Sequence, residues 1–167
     1  MRNEIDIKNA FWETMKVFKR LPDLVIYNSG AINYGKVSES SLKKFDLMHD
    51  VNDRGCLICI KNCLTYMTER QEKQRIIVIS PPIYQRFFKG KTPYSMTKVA
   101  MTVLMKGLSF ELKNTNTSIV SLWPATGIQS AATERFKSQN GEDISKLLRT
   151  PKIFADAVVG IAKDEKI

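Results

Sequence analysis

The sequence predicts an α/β fold, a parallel sheet of about three strands with helices on both faces. Two observations carry this. Short apolar or β-branched runs at 24–27, 75–80 and 118–123 alternate with longer segments of helical periodicity. Each run is stopped by a breaker: Asn28-Ser29-Gly30, Pro81-Pro82 and Pro124. Strands separated by helices of this length connect most simply as a parallel sheet.

The elements follow in order. Ile5, Ile7, Phe11, Trp12, Met15 and Phe18 recur at helical spacing among charged neighbours, predicting an amphipathic helix over 4–20 that ends before Leu21-Pro22. The nearly continuous apolar run 24–27 reads as a buried strand. Serines at 38, 40 and 41 offer caps for a long helix reaching to about 69, in which Gly55 permits close packing or a break. The strand 75–80 leads through a loop containing Gly90 to a helix over 94–113. The strand 118–123 leads to a polar stretch around Gln139-Asn140-Gly141. A last helix over 153–162 follows Thr150-Pro151.

Composition narrows the class. The 167 residues are 43% hydrophobic and 26% charged, enough for one globular domain with a real core. No apolar stretch approaches the roughly 18 residues that a membrane span needs. Met1-Arg2-Asn3-Glu4 has no signal-like apolar segment, so a cytoplasmic chain is the default expectation. The net charge of +9 comes from 26 Lys and Arg against 17 Asp and Glu. These basic residues are scattered and not interleaved with aromatics, so no nucleic-acid partner is expected. Cys56, Cys59 and Cys63 fall on one helical face. Three thiols, with the single His49 a turn or more away, suit neither a disulfide framework nor a metal site. They are expected to be small core residues.

The chemistry gathers where parallel strands end, outside their C-terminal edges. Tyr94-Ser95-Met96-Thr97-Lys98 sets a phenol and an ammonium one turn apart on one helical face. A phenol ordinarily ionises near pH 10, and a neighbouring ammonium lowers that value, which suits acid/base work at neutral pH. Ser80 ends the preceding strand fourteen positions earlier, where its hydroxyl could meet the phenol over a substrate oxygen.

With these motifs in order, the chain resembles the short-chain dehydrogenase/reductase family along essentially its whole length. Tyr27-Asn28-Ser29-Gly30 resembles the family's Asn-Asn-Ala-Gly turn, and Val51-Asn52-Asp53-Arg54-Gly55 its Val-Asn-x-x-Gly segment. Tyr94 and Lys98 match the family's Tyr-x-x-x-Lys, and Trp123-Pro124-Ala125-Thr126-Gly127 stands where a Pro-Gly turn follows the sixth strand. The resemblance implies a Rossmann-like sheet and an oxidoreductase using NAD or NADP on a small carbonyl or alcohol. It makes Tyr94 the proton donor or acceptor at the substrate oxygen. Lys98 would lower the Tyr94 pKa and hold the nicotinamide ribose, and Asn52 would keep a relay water. Asn28 and Gly30 would line the cofactor trough, with the turn from Pro124 to Ile128 at the nicotinamide. No metal is implied. Self-association would run through the helices 38–69 and 94–113, and the family also admits peroxisomal or mitochondrial locations.

The departures are specific. Thirteen residues before Tyr94, where the family has its serine, stands Pro81, with Ser80 one place early. None of the eight glycines forms the Gly-x-Gly turn that holds a pyrophosphate at a helix N-terminus. The sequence is therefore expected to be a single partial domain over 1–167, the catalytic half without the first βαβαβ half. Its strand 24–27 would be an edge strand prone to association. Two functions follow: a dehydrogenase, or a catalytically incompetent fragment that serves as an interaction partner.

Overall fold

A computed structural model of the chain describes residues 2–67, 70–84, 89–140 and 144–165, with backbone alone for 136–140. The chain divides into two compact units, Met1–Leu122 and Trp123–Ile167.

The first unit opens with helix α1 (Glu4–Phe18). Asn3 caps it, its side-chain oxygen accepting the Ile5 N–H at 2.9 Å, and Glu4 and Asp6 complement the positive end of the helix. Lys19 closes it in the left-handed region at φ 54°, a place glycine usually takes. Strands β1 (Leu24–Tyr27), β2 (Gln74–Val78) and β3 (Thr117–Ser121) form a parallel sheet in the order β1-β2-β3, with Val25 opposite Ile76 and Ile76 opposite Ile119. All five residues of β2 are buried, as a strand covered on both faces requires. Strand β1 lies at the edge, where the sequence puts it, and its Ile26 is 43% exposed. Strands β2 and β3 stop two residues sooner than predicted. Isolated bonds from the Ile79 and Leu122 N–H groups (3.0 and 2.9 Å) continue the pairing until the prolines remove further donors.

The long helix expected over 38–69 is interrupted. A 3₁₀ turn at Val37–Glu39 precedes α2 (Leu42–His49). Asp50–Arg54 then winds as a π-helical turn, and α3 runs over Gly55–Met67. Ser41 stands at the N-cap of α2, but its hydroxyl makes no capping bond; its backbone carbonyl takes the Lys44 and Phe45 N–H groups instead. The break that Gly55 allows occurs just ahead of it. Such π turns are rare and gather at functional sites. Helix α4 (Thr92–Glu111) begins and ends two residues earlier than the predicted 94–113, with Pro93 in its first turn.

Helix α3 packs on β1 and α4 on β3, and α1 packs on α3. Ile60, Met67, Ile76, Val78, Met101 and Met105 centre the core between them. Cys56, Cys59 and Cys63 belong to it, at most 6% exposed, as expected from their shared helical face.

In the second unit, β4 (Gly127–Ile128) pairs in parallel with β5 (Leu148–Arg149). Between them lies α5 (Ala131–Asn140), and α6 (Lys152–Lys163) follows. The sequence predicts α6 to within one residue at each end but neither α5 nor the two-residue strands. The α5 segment AATERFKSQN has no apolar stripe, and a two-residue strand shows no alternation. Gly141, at the end of the predicted polar stretch, lies outside the described residues. Among the described residues no helix is long and apolar enough to cross a membrane. None of them forms a metal-binding group of His, Cys, Asp or Glu.

Burial pushes the Cys56 thiol up to about 12, so it stays protonated and unreactive at neutral pH. The Cys59 thiol is shifted down by its hydrogen bond with Cys63, but all three thiols are buried away from reagent, so all are expected to resist Ellman's reagent in the native chain and to react together only in denaturant. Rapid labelling of even one thiol without denaturant would contradict this core.

Candidate active site

Asn52 sits in the π turn with no exposed surface. Its carbonyl oxygen accepts the Ala31 N–H at 2.8 Å. Its amide donates to the Ala31 carbonyl at 2.9 Å and to the Thr97 hydroxyl at 2.8 Å. The Thr97 hydroxyl in turn donates a hydrogen bond to the Tyr94 carbonyl at 2.9 Å. One side chain thus joins the turn after β1 to the helix that carries Tyr94 and Lys98. Tyr27, standing where the resemblance has an asparagine, donates its phenol to the Val51 carbonyl and ties β1 to the same π turn. The sequence marked Asn52, but not Tyr27 or Thr97 as its supports.

Tyr94 and Lys98 lie one turn apart on α4 and are both buried, 8% and 4% exposed. The Lys98 ammonium donates to the Ile79 carbonyl at the end of β2. Burial pushes Lys98 down to about 8, partly opposed by Cys56. Burial also raises the Tyr94 phenol above its usual value, with Tyr34 adding to the effect. This corrects the sequence reading, in which Lys98 lowers Tyr94. Loss of solvent disfavours the phenolate, so the phenol holds its proton at neutral pH.

Ser80 is buried, and its hydroxyl donates to the Ser121 hydroxyl at 2.9 Å across the ends of β2 and β3. The bond directs it toward β3, which differs from the expected meeting with Tyr94. Pro81, at the position of the family serine, is buried as well, and its carbonyl accepts from Thr102 at 2.6 Å. Asn28 and Gly30 are exposed on the turn after β1. A methyl group added at Gly30 would lie 3.7 Å from the Asn52 oxygen, in ordinary contact.

Asn28, Gly30, Asn52, Ser80, Tyr94 and Lys98 all lie in the first unit, where Gly30 borders Asn52 and Asn52 is bonded through Thr97 to the Tyr94 carbonyl. Pro124 and Ile128 belong to the second. Ile128 forms β4, its carbonyl accepting from Thr133 at 3.1 Å, and Pro124 is half-buried just before it.

The short chain dehydrogenase family model matches residues 1–141. The chain belongs to that family. Hydroxysteroid dehydrogenase-like protein 2 of Xenopus tropicalis is 31% identical over 99% of this chain, and the human protein 30% over 99%. The chain spans 39% of the length of each. A short chain dehydrogenase structure from Mycobacterium thermoresistibile has a TM-score of 0.83 and 30% identity, covering 98% of this chain and 57% of that one. A Xanthomonas campestris structure reaches a TM-score of 0.87 at 28% identity, covering 98% and 59%. The fold is also that of ElxO with NADP bound, at a TM-score of 0.79 and 20% identity, covering 98% and 68%.

Asn52→Ala would leave the Ala31 amide and carbonyl without their side-chain partner and remove one of the two hydrogen bonds of the Thr97 hydroxyl. A loss of about 2–3 kcal/mol in urea unfolding is expected, and a loss below about 0.5 kcal/mol would show that the clamp is dispensable. For Lys98, the folded state binds fewer protons than the unfolded state between about pH 8 and the ordinary lysine value, so its penalty is full below 8 and fades above. Lys98→Met is therefore expected to be more stable than the wild type at pH 7, by on the order of 1–2 kcal/mol. That gap should narrow by pH 10. A gap that widens with pH would reverse the sign of the argument.

Proposed function

We propose that this chain is the catalytic portion of an NAD(P)-dependent oxidoreductase acting on a small carbonyl or alcohol, with residues 1–167 working as one partial short-chain dehydrogenase domain. The observation that carries the reading is the buried Tyr94–Lys98 pair, braced through Thr97 to Asn52 and the exposed Asn28–Gly30 turn. Family membership supports the same chemistry.

The residues present fit the nicotinamide–ribose end of a dinucleotide. The Asn28–Gly30 turn is exposed and small-sided, and the buried Lys98 ammonium supplies donors for ribose hydroxyls. Pro124 and Ile128 are assigned to the nicotinamide amide on the family's pattern. A bound dinucleotide supplies or accepts the hydride. Tyr94 holds the proton: its raised pKa leaves it protonated at neutral pH, ready to donate to a carbonyl oxygen. With its amide hydrogens spent on Ala31 and Thr97, Asn52 contributes first as a brace, and a relay water would meet another of its atoms.

Self-association is part of the same reading. Leu47, Leu57, Val103 and Phe110 are exposed on the predicted interface helices. A cleft of about 350 Å³ lined by Leu57, Ala100 and Leu104 together with His49, Asp53 and Arg54 opens beside them.

Titrating the 167-residue chain with NADH and with NADPH, followed by nucleotide fluorescence, tests the reading. Saturable binding is expected for at least one, weakened roughly tenfold or more in Lys98→Met through loss of charge-assisted hydrogen bonds. No binding at millimolar nucleotide by a folded chain would reject it and leave the interaction-partner alternative.

A further inference from the structure

The π turn that carries Asn52 continues into Asp53 and Arg54, and the chemistry proposed above uses neither. Both line the cleft of about 350 Å³, together with His49, Leu57, Ala100 and Leu104. That volume lies at the lower end of the range for small-molecule pockets.

Three polar side chains meet there on an aliphatic floor. His49 Nδ1 and Asp53 Oδ2 are 2.7 Å apart, and Phe45 stacks on the imidazole with ring centroids 6.4 Å apart and planes at 11°. One oxygen of the carboxylate is therefore held. The other, Oδ1, is buried and is the one such side-chain atom among the described residues without a hydrogen-bond partner. An unmet buried acceptor costs stability until a donor reaches it. The Asp53 side chain is 20% exposed, and a carboxylate turns readily about its last bond, so a donor in the cleft can draw on it. Arg54 is exposed beside it. Its Nη1 donates to the Arg2 carbonyl at 2.9 Å, and the rest of its five-donor fork can serve an anion. Leu57 follows three residues later on α3 and is 52% exposed. Ala100 and Leu104 stand one turn apart on α4.

A carboxylate and a guanidinium over aliphatic side chains match a small molecule that carries an ammonium, a carboxylate and an aliphatic chain. A simple cation would leave Arg54 unmatched, and a simple anion would face the Asp53 charge. We propose that this cleft binds a free aliphatic α-amino acid, with its ammonium on Asp53, its carboxylate on Arg54 and its side chain against Leu57, Ala100 and Leu104. The site does not depend on the dehydrogenase reading. A second copy of the chain is the rival occupant, because the proposed self-association uses the same helices.

His49 is the single histidine of the chain, so its ring-proton signals report on the cleft without assignment. The full chain is titrated with L-leucine at fixed pH and followed by proton NMR. A saturable shift of the His49 signals is expected. Isocaproate, which lacks the ammonium, and isoamylamine, which lacks the carboxylate, should each bind about tenfold or more weakly, the worth of one hydrogen bond to a charged group. Asp53→Asn and Arg54→Gln should each weaken leucine binding by a similar factor, with unchanged thermal melts showing that the variants are folded. No shift with leucine up to its solubility overturns the proposal. Equal binding of isocaproate or isoamylamine overturns it as well, by showing that one charge suffices, and so does undiminished leucine binding in both folded variants. A His49 signal that moves with chain concentration and not with leucine assigns the cleft to a second copy and also overturns it.

Discussion

The Asn52 carboxamide is the contact on which the arrangement of the site depends. It is fully buried, and such a group is tolerated only when its hydrogen bonds are made. It makes three, to the backbone of residue 31 and the side chain of residue 97, segments 21 and 45 positions away in the chain. No regular secondary structure would link those segments, because one is a turn beyond a strand and the other a face of a helix. The π turn at Asp50–Arg54 carries Asn52 at this junction, and the Tyr27 phenol holds the turn by the Val51 carbonyl. Helix irregularity, tyrosine tether and carboxamide clamp are one solution to one packing problem.

The same burial sets the electrostatics. Tyr94 and Lys98 are each pushed toward their neutral forms, the phenol upward and the ammonium down to about 8. An isolated helix with tyrosine and lysine at i and i+4 would show the reverse for the phenol, since water would screen the desolvation and leave the attraction. The difference lies in the packed neighbours: Met101 and Met105 continue the buried face of α4, and Cys56 approaches the ammonium. Lys98 stays cationic near neutral pH with help from the Ile79 carbonyl, a single strong acceptor at the end of β2. The ammonium is thus partly committed to the protein before any ligand arrives, and a ribose hydroxyl would add to that acceptor or compete with it.

Much of this was legible in the sequence. The three strands, their parallel order and helices α1, α4 and α6 follow from periodicity and breakers because each has a full face to bury. The thiols read as core because i, i+3, i+7 spacing leaves them no other common environment. Asn52, Tyr94 and Lys98 stood out because their motifs are local and strictly spaced. What stayed hidden depends on contacts between distant segments. The π turn has the composition of any helix, and Tyr27 looked like an apolar strand residue with an oxygen to spare. The direction of the Tyr94 shift could not be read without knowing how completely α4 is buried. Ser80 was placed by its distance along the chain, and only the pairing of β2 with β3 shows its hydroxyl bonded to Ser121. Helix α5 escaped for the opposite reason: its polar sequence carries no stripe to read.

The departures from the family pattern fall on one side of the site. The helix side keeps its expected residues, Asn52, Tyr94 and Lys98: Asn52 is bonded through Thr97 to the Tyr94 carbonyl, and Lys98 donates to the Ile79 carbonyl. The strand-end side differs, with tyrosine at 27, serine at 29 and proline at 81 where the pattern has asparagine, alanine and serine. Physically the two sides answer to different demands. Proton transfer tolerates little displacement of the phenol, so its supports must be buried and fully bonded. Recognition of a substrate oxygen needs only a donor at the right distance, so the strand ends answer to the looser demand. The Asn52 clamp holds the helix side in place whichever residues stand at the strand ends.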